Sequence, residues 1–225
     1  MTERTSNLIG GASGILATLA SQTGFWAIAQ GSPSMAASTQ QIRDFLHHSS
    51  ARVYSGDTVE LLALVLLVVF AGRLWAILRR AEGGSGWLST TGLAAIIASI
   101  AVGVGGALAA EATAFYAGQH GLDPTTTAAL LDLSNFAYLT TGPLLAIFFG
   151  ATAIIVLRLG GLPRWLGWFA AVLTVAFPAT LPRPTDLAYL PHMLVLIWIT
   201  AVSIILIAPR EPAPAYATAQ TAVNT

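Results

Sequence analysis

The sequence has no cysteine and no lysine, and it carries few charges of either sign. Without cysteine, the chain can form neither a disulfide nor a thiolate metal site. The ten basic residues are all arginine and the net charge is zero, which argues against a polybasic arm, so no nucleic-acid partner is predicted. Charged residues make up 9% of the chain, whereas a soluble domain carries about 25%. So few charges cannot cover a globular surface, and the lipid bilayer is therefore predicted to be the main partner and solvent of the chain.

Apolar residues dominate instead, at 55% of the 225 residues. They form six runs, each close to the roughly 20 residues that cross a bilayer as a helix. The predicted spans are 8–29, 59–78, 88–117, 133–157, 165–181 and 187–208. The first run ends without a small-residue cleavage site, so we expect it to be retained as a helix. The predicted fold class is an all-α integral membrane protein, a six-transmembrane helix bundle in one domain over 1–210, followed by a disordered cytoplasmic tail over 211–225.

The arginines favour one orientation in the membrane, because cytoplasmic loops carry an excess of positive charge. With the N-terminus inside, the outer side holds only Arg43, Arg52 and Arg183. The inner side then holds Arg4, Arg73, Arg79, Arg80, Arg158, Arg164 and Arg210. Both termini are therefore predicted to be cytoplasmic, in a multi-pass protein of the cell membrane. All four histidines and most of the acids fall on the outer side or near it.

Two outer intervals carry further helix signals. In "STQQIRDFLHHSSARVYSGD" the apolar residues recur near helical spacing, which predicts an amphipathic helix lying in the outer interface. Gly56 is expected to mark a bend from this helix into the second span. In the next outer interval, Asp123 precedes Pro124, which is an N-cap and first-turn pairing, so a helix is predicted to start at Pro124.

Glu111 stands alone in the apolar segment "GVGGALAAEATAFY" of the third span. Small residues share its helical face, namely Gly103, Ala107, Ala114 and Gly118. Small residues mark close helix packing in membranes, so Glu111 is expected to face the bundle. An intramembrane acid is a functional-site hypothesis by default. The alternative is a structural role, in which Glu111 is protonated or hydrogen-bonded to a neighbouring helix.

Other polar residues fall in pairs three positions apart at the outer ends of the spans. Asp57 with Glu60, Asp132 with Asn135, and Tyr189 with His192 each share a helical face. If the helices bundle compactly, these pairs converge on an outward-facing polar cavity. The predicted ligand-binding residues are Glu60, Glu111, Asp132, Asn135, Tyr138 and His192, and the carboxylates Glu60, Glu111 and Asp132 are the candidates for catalysis.

Structural alternatives exist for several of these residues. Asp57, Asp132 and Asp186 begin apolar runs, where an acid caps a helix and is favoured by its dipole. Arg52 or Arg183 could pair with Glu60 or Glu111.

Metal and cofactor signals are weak. His47 and His48 are adjacent, so on a helix they point about 100° apart, which is poor geometry for one metal ion. His192 is the one histidine inside a span, so a matched pair of haem ligands is missing. No metal and no cofactor are therefore predicted.

Two segments carry a resemblance to a known family. They are "ARVYSGDTVELLALVLL" and "FFGATAIIVLRLGGLPRWLGW". Together they resemble a family of small six-helix bacterial membrane proteins, common in actinobacteria, known as domain of unknown function 4386. The resemblance extends over about residues 8–208 and implies six helices. It implies no activity, because the family has no established catalytic residues. The sequence departs from the family in "QQIRDFLHHSS" and in its proline-rich turn after the fifth span.

Three classes of function remain open at this point. The first is a protein that binds or handles a small molecule or ion in the outward-facing cavity. The second is an intramembrane enzyme that uses carboxylate acid/base chemistry on a lipidic substrate, for example an isoprenoid. The third is an accessory or structural subunit in which the polar residues hold helices together. The sequence does not specify an oligomeric state.

Overall fold

A computed structural model describes residues 1–31, 38–121, 123–180 and 189–209, and every regular element in these ranges is helical. The elements are α1 (Glu3–Ala29), α2 (Thr39–Glu82), α3 (Trp87–Val102), a π-helical segment (Gly103–Leu108), α4 (Ala109–Gln119), α5 (Pro124–Arg158), α6 (Arg164–Thr180) and α7 (Leu190–Ile207). The predicted all-α fold is confirmed. The predicted tail over 211–225 and the turn over 181–188, with Arg183 and Asp186, lie outside the described residues.

Four helical stretches in the described ranges are long and apolar enough to cross a membrane. They are Gln40–Glu82, Trp87–Gln119, Thr125–Arg158 and Leu190–Ile207, and Arg164–Ala179 forms a shorter apolar helix. Helices of this number and composition indicate a membrane protein. The span count of six, which also needs α1 and α6 to cross, is taken up under the proposed function.

The helix α2 begins much earlier than the second apolar run. The Ser38 hydroxyl accepts a hydrogen bond from the Gln41 amide, and the Gln41 side chain accepts one from the Ser38 amide, which is a capping box. From this start α2 continues for 44 residues, a length of about 66 Å, or roughly twice the apolar thickness of a bilayer.

The prediction of a separate amphipathic helix with a bend at Gly56 is wrong, because that segment is the first part of α2. Gly56 serves close packing instead. A Cβ atom there would lie 2.8 Å from Ile28 Cγ1 and 3.1 Å from the Gly24 carbonyl oxygen, both on α1.

Helix α1 runs antiparallel to α2 along its whole length. Gly10 contacts Arg73 near one end of the pair, and Gly24 contacts Gly56 near the other. Helix α6 runs against α5 in the same manner, since Gly167 contacts Leu157 and Gly142 contacts Phe177. Both helices therefore follow a longer apolar helix from one end of the bundle to the other.

The two ends of the bundle differ in charge. One end, called the arginine end, holds Arg73, Arg79 and Arg80, and the turn between α5 and α6 reaches it where Gly161 contacts Ala81. The other end, called the carboxylate end, holds Asp57, Glu60 and Glu111. Between them lies the core, with Phe70, Phe149, Phe177 and Trp198 fully buried at its centre.

The positions at which the helices begin show which acids act as N-caps. Asp123 caps α5, as predicted: its carboxylate accepts hydrogen bonds from the amides of Thr125 and Thr126 at 3.0 and 3.1 Å. The capping alternative for Asp57 and Asp132 is wrong, because both residues lie inside α2 and α5 rather than at their N-termini.

Candidate functional site

Helix α2 places two acids on one face at the carboxylate end. Asp57 is 9% exposed, and neither of its carboxylate oxygens has a hydrogen-bond partner among the described residues. Glu60 lies three residues further into the bundle. Its Oε1 accepts a hydrogen bond of 2.9 Å from the Ser21 hydroxyl of α1, while its Oε2 is buried without such a partner.

Glycine makes room for Glu60 against α1. A Cβ atom on Gly24 would lie 3.1 Å from Glu60 Oε2 and 2.9 Å from the Gly56 carbonyl oxygen. The two helices therefore touch through their backbones at this level, and the Ser21 hydroxyl is brought within hydrogen-bond distance of the carboxylate.

Glu111 reaches the same region from α4. It follows the π-helical segment by three residues and is half-buried. Asp57 interacts electrostatically with both Glu111 and Glu60. These three acids form a group, called the carboxylate cluster: Asp57, Glu60 and Glu111.

The π-helical segment itself is pressed against α5. A Cβ atom on Gly106 would lie 2.8 Å from the Ala137 Cβ. A π-helical turn changes the direction in which the following residues point, and such turns are frequent at functional sites. Here the residue that follows is the only acid of the segment from Trp87 to Gln119, so the turn decides where Glu111 points.

A second polar group lies beside the cluster, between α5 and α7. The rings of Tyr138 and Tyr189 stack with centroids 5.6 Å apart, and the ring of Tyr138 lies 4.4 Å from that of His192. His192 Nε2 is 3.2 Å from the Thr141 hydroxyl oxygen. Tyr138 also interacts electrostatically with Glu60, which links this group to the carboxylate cluster. We call it the aromatic group: Tyr138, Thr141, Tyr189 and His192.

The remaining two predicted site residues, Asp132 and Asn135, both lie on α5. Asp132 is exposed on α5, and Asn135 is half-buried one turn further along. The structure therefore brings Glu60, Glu111, Tyr138 and His192 together and leaves Asp132 on the surface.

The alternative in which Arg52 pairs with Glu60 or Glu111 does not match the structure, whereas the same alternative for Arg183 falls outside the described residues. The Arg52 guanidinium donates to the Ser49 hydroxyl and to the Gln30 carbonyl oxygen. The ion pairs within the described ranges lie at the arginine end, where Glu3 binds Arg80 at 2.8 Å and Arg73 at 3.5 Å. Among the described side chains, no ion pair involves the carboxylate cluster.

The geometry of a metal centre is also not found where the structure describes the chain. No three histidine, aspartate or glutamate side chains are arranged there to hold a metal ion. The arrangement suits groups that exchange protons or contact a weakly bound cation.

Sequence reasoning missed Ser21, Gly24 and Thr141. It assigned Asp57 to a helix cap as well as to a shared face with Glu60, and only the second assignment fits. Ser21 and Gly24 are three residues apart on one face of α1, but this spacing does not identify the helix that packs against them. Thr141 carries no sequence signal that separates it from the other helical threonines.

Comparison of the chain with protein-family profiles, with curated proteins and with solved structures found no match.

Proposed function

We propose that the protein handles a proton or a small monovalent cation at the carboxylate cluster. The observation that carries this proposal is the environment of Asp57: a buried carboxylate with two unpartnered oxygens, beside Glu60 and Glu111. An isolated carboxylate away from water is strongly disfavoured as an anion. An anionic cluster therefore requires positive charge, and no ion pair of the described side chains supplies it.

The aromatic group supports this reading, because it continues the polar region into the bundle. Tyr138 interacts electrostatically with Glu60, and its ring lies 4.4 Å from that of His192, whose Nε2 is 3.2 Å from the Thr141 hydroxyl oxygen. Histidine and tyrosine both donate and accept protons, and chains of acids and histidines inside membranes mark proton and ion pathways. Asp132 and Asn135 lie nearer to the start of α5 than Tyr138 does. We keep both as candidates for the outer entrance to the polar region.

The proposal includes six spans with both termini in the cytoplasm. The support comes from packing: α1 follows α2, and α6 follows α5, from the arginine end to the carboxylate end. A helix that lies along a spanning helix shares its depth in the membrane. The arginine end is then cytoplasmic, since positive charge favours that side. Kinship with domain of unknown function 4386 rests on two sequence segments and stays a prediction.

An accessory or structural role is the second candidate, and one observation favours it. The Ser21–Glu60 hydrogen bond joins α1 to α2 where their backbones touch. In that case the cluster would fasten helices and bind nothing. The enzyme candidate needs an apolar pocket of several hundred Å³ for a lipidic substrate, and no observation on the described residues favours it in the same way.

Infrared spectroscopy of purified protein in lipid vesicles tests the proposal. A protonated carboxyl group has a carbonyl stretch that is separate from the bands of a carboxylate. We expect a protonated-carboxyl band that titrates with pH and loses intensity in Asp57→Asn and in Glu111→Gln. Asp44→Asn is the matched control, because Asp44 is exposed on α2.

Titration with Na⁺ or K⁺ then separates the two ligands. Loss of the band at constant pH on adding either salt indicates a cation that displaces the proton, and no response indicates a proton alone. A spectrum with no titrating buried carboxyl and no salt response, together with lowered thermal stability of Glu111→Gln, would support the structural role instead.

A further inference from the structure

A small cavity lies between α2, α3 and α5, near the arginine end and away from the carboxylate cluster. Its volume is about 10 Å³. That is close to the smallest volume that holds one water molecule, so no organic ligand fits. Most of its lining is apolar, with Ala71, Ile96 and Phe148 among the wall residues. Three polar residues also line it: Trp75, Ser89 and Thr152.

Two of these residues carry buried polar atoms that the described protein leaves unpartnered. The Trp75 Nε1–H group is a donor, and the Thr152 hydroxyl both donates and accepts. Neither has a hydrogen-bond partner among the described residues, and Thr152 is fully buried. Buried polar groups nearly always have a hydrogen-bond partner, whether protein or ordered water. Because these two groups line the same small cavity, we expect them to share one partner there.

Thr152 differs from other threonines of the bundle in this respect. A helical threonine ordinarily bonds back to a carbonyl three or four residues earlier. Thr174 does so with Ala170 at 2.8 Å, and Thr90 does so with Gly86 at 2.8 Å. The Thr152 hydroxyl makes no such bond, so its hydrogen-bonding capacity remains available to the cavity.

We propose that this cavity binds one water molecule, which accepts a hydrogen bond from Trp75 Nε1 and exchanges one with the Thr152 hydroxyl. The Ser89 hydroxyl donates to the Gly86 carbonyl at 3.0 Å and retains lone pairs that can accept from the same water. The water would then have three partners, the typical number for a buried water. It would join α2, α3 and α5 by hydrogen bonds where the surrounding contacts are apolar.

The test uses protein labelled with ¹⁵N in its tryptophan indoles and measured by NMR in lipid nanodiscs. Trp75→Phe assigns the Trp75 resonance. We expect this resonance to show magnetisation transfer from water. Trp198 is the matched control, because it is fully buried and its Nε1 donates to the Leu166 carbonyl at 3.0 Å. Its indole proton should show no transfer from water.

A second measurement tests the role of Thr152. Thr152→Val replaces the hydroxyl by a methyl group of similar size, and we expect it to shift the Trp75 resonance or to abolish its transfer from water. Thr174→Val should leave the Trp75 resonance unchanged. An unchanged Trp75 resonance in Thr152→Val would overturn the shared water, and so would a wild-type Trp75 indole without transfer from water. The wild-type result decides the matter even if Thr152→Val does not fold.

Discussion

At the scale of single residues, the chain treats its acids in two opposite ways. Asp123 sits in water at the start of α5 and accepts three hydrogen bonds from Thr125 and Thr126. Asp57 sits inside the bundle and accepts none from the described residues. The first arrangement stabilises a charge, whereas the second requires that the charge be removed or compensated. The same side chain therefore serves as a cap in one place and as a candidate ligand group in the other.

The Asp123 cap predicts a pH dependence at the start of α5. The Thr126 hydroxyl, with the amides of Thr126 and Thr125, holds the pKa of the Asp123 carboxyl below its usual value. Because the folded pKa is the lower one, the cap stabilises the helix start above the unfolded pKa, and this effect is lost as the pH falls through the folded pKa.

Hydrogen exchange measures this effect locally. At neutral pH we expect the amides of Thr125 and Thr126 to exchange several-fold faster in Asp123→Ala than in the wild type. The difference should shrink in acid, when the wild-type carboxyl is protonated. Asp44→Ala, a change at an exposed aspartate of α2, should not affect these amides. Equal exchange in Asp123→Ala and wild type at neutral pH would contradict the cap.

At the scale of the elements, apolar runs predicted where helices lie but not where they begin. The run from Val59 to Leu78 is only the second part of α2, because the helix starts at the Ser38 cap in a polar segment. The spacing of apolar residues did predict a helix in this segment, but it separated that helix from the second span at Gly56. A run of apolar residues shows which part of a helix lies in lipid, whereas a capping residue shows where the helix itself begins. In a helix longer than the bilayer is thick, these two positions differ.

The role of Gly56 was also predicted wrongly from the sequence. Gly56 looks like a bend in the sequence, yet it permits a close backbone contact with Gly24. Glycine permits both a bend and a close contact between helices because it has no Cβ atom. The sequence around Gly56 cannot distinguish these roles, because the contacting residue, Gly24, lies on another helix. The π-helical segment at Gly103–Leu108 was unpredictable for a similar reason, since its glycines fit ordinary close packing equally well.

The contact between α1 and α2 predicts the effect of a single methyl group. Gly24→Ala would place a Cβ atom 2.9 Å from the Gly56 carbonyl oxygen, so the helices must separate. We expect a loss of about 1–3 kcal/mol in the free energy of unfolding. Thermal unfolding in detergent, followed by circular dichroism, measures it.

The control for this substitution is Gly72→Ala on α2. A Cβ atom there meets nothing within 4 Å, and alanine favours helix by about 1 kcal/mol over glycine. We therefore expect unchanged or raised stability. If Gly24→Ala were as stable as Gly72→Ala, the close contact of α1 with α2 would be refuted.

At the scale of the whole molecule, the sequence predicted an all-helical membrane protein, and it grouped polar residues by their spacing along single helices. Spacing along one helix correctly joined Asp57 to Glu60. It could not show that Asp132 lies on the surface, because that depends on how α5 is rotated against its neighbours. Rotation is set by contacts such as Gly106 with Ala137, which involve residues about thirty positions apart.

The six-span arrangement predicts a labelling pattern on this cysteine-free chain. Single cysteines replace exposed residues, and an impermeant maleimide is applied to intact cells. We expect labelling of Gln30→Cys and Gln119→Cys from outside. Arg4→Cys and Ser85→Cys should react only after the membrane is opened.

Each pair of positions tests a separate claim. If Arg4→Cys and Gln30→Cys react from the same side, α1 does not cross the membrane. If Ser85→Cys reacts from outside, the orientation is inverted.

The length of α2 also joins it to α4 through aromatic side chains. Its first part, from Thr39 to Gly56, is about 27 Å long. The rings of Phe45 and Tyr54 on this part meet the ring of Phe115 of α4 edge-on, at centroid distances of 5.6 and 6.2 Å. Phe115 lies one turn beyond Glu111, and Tyr54 lies about one turn before Asp57. Aromatic packing therefore holds together, next to the carboxylate cluster, the two helices that carry these acids.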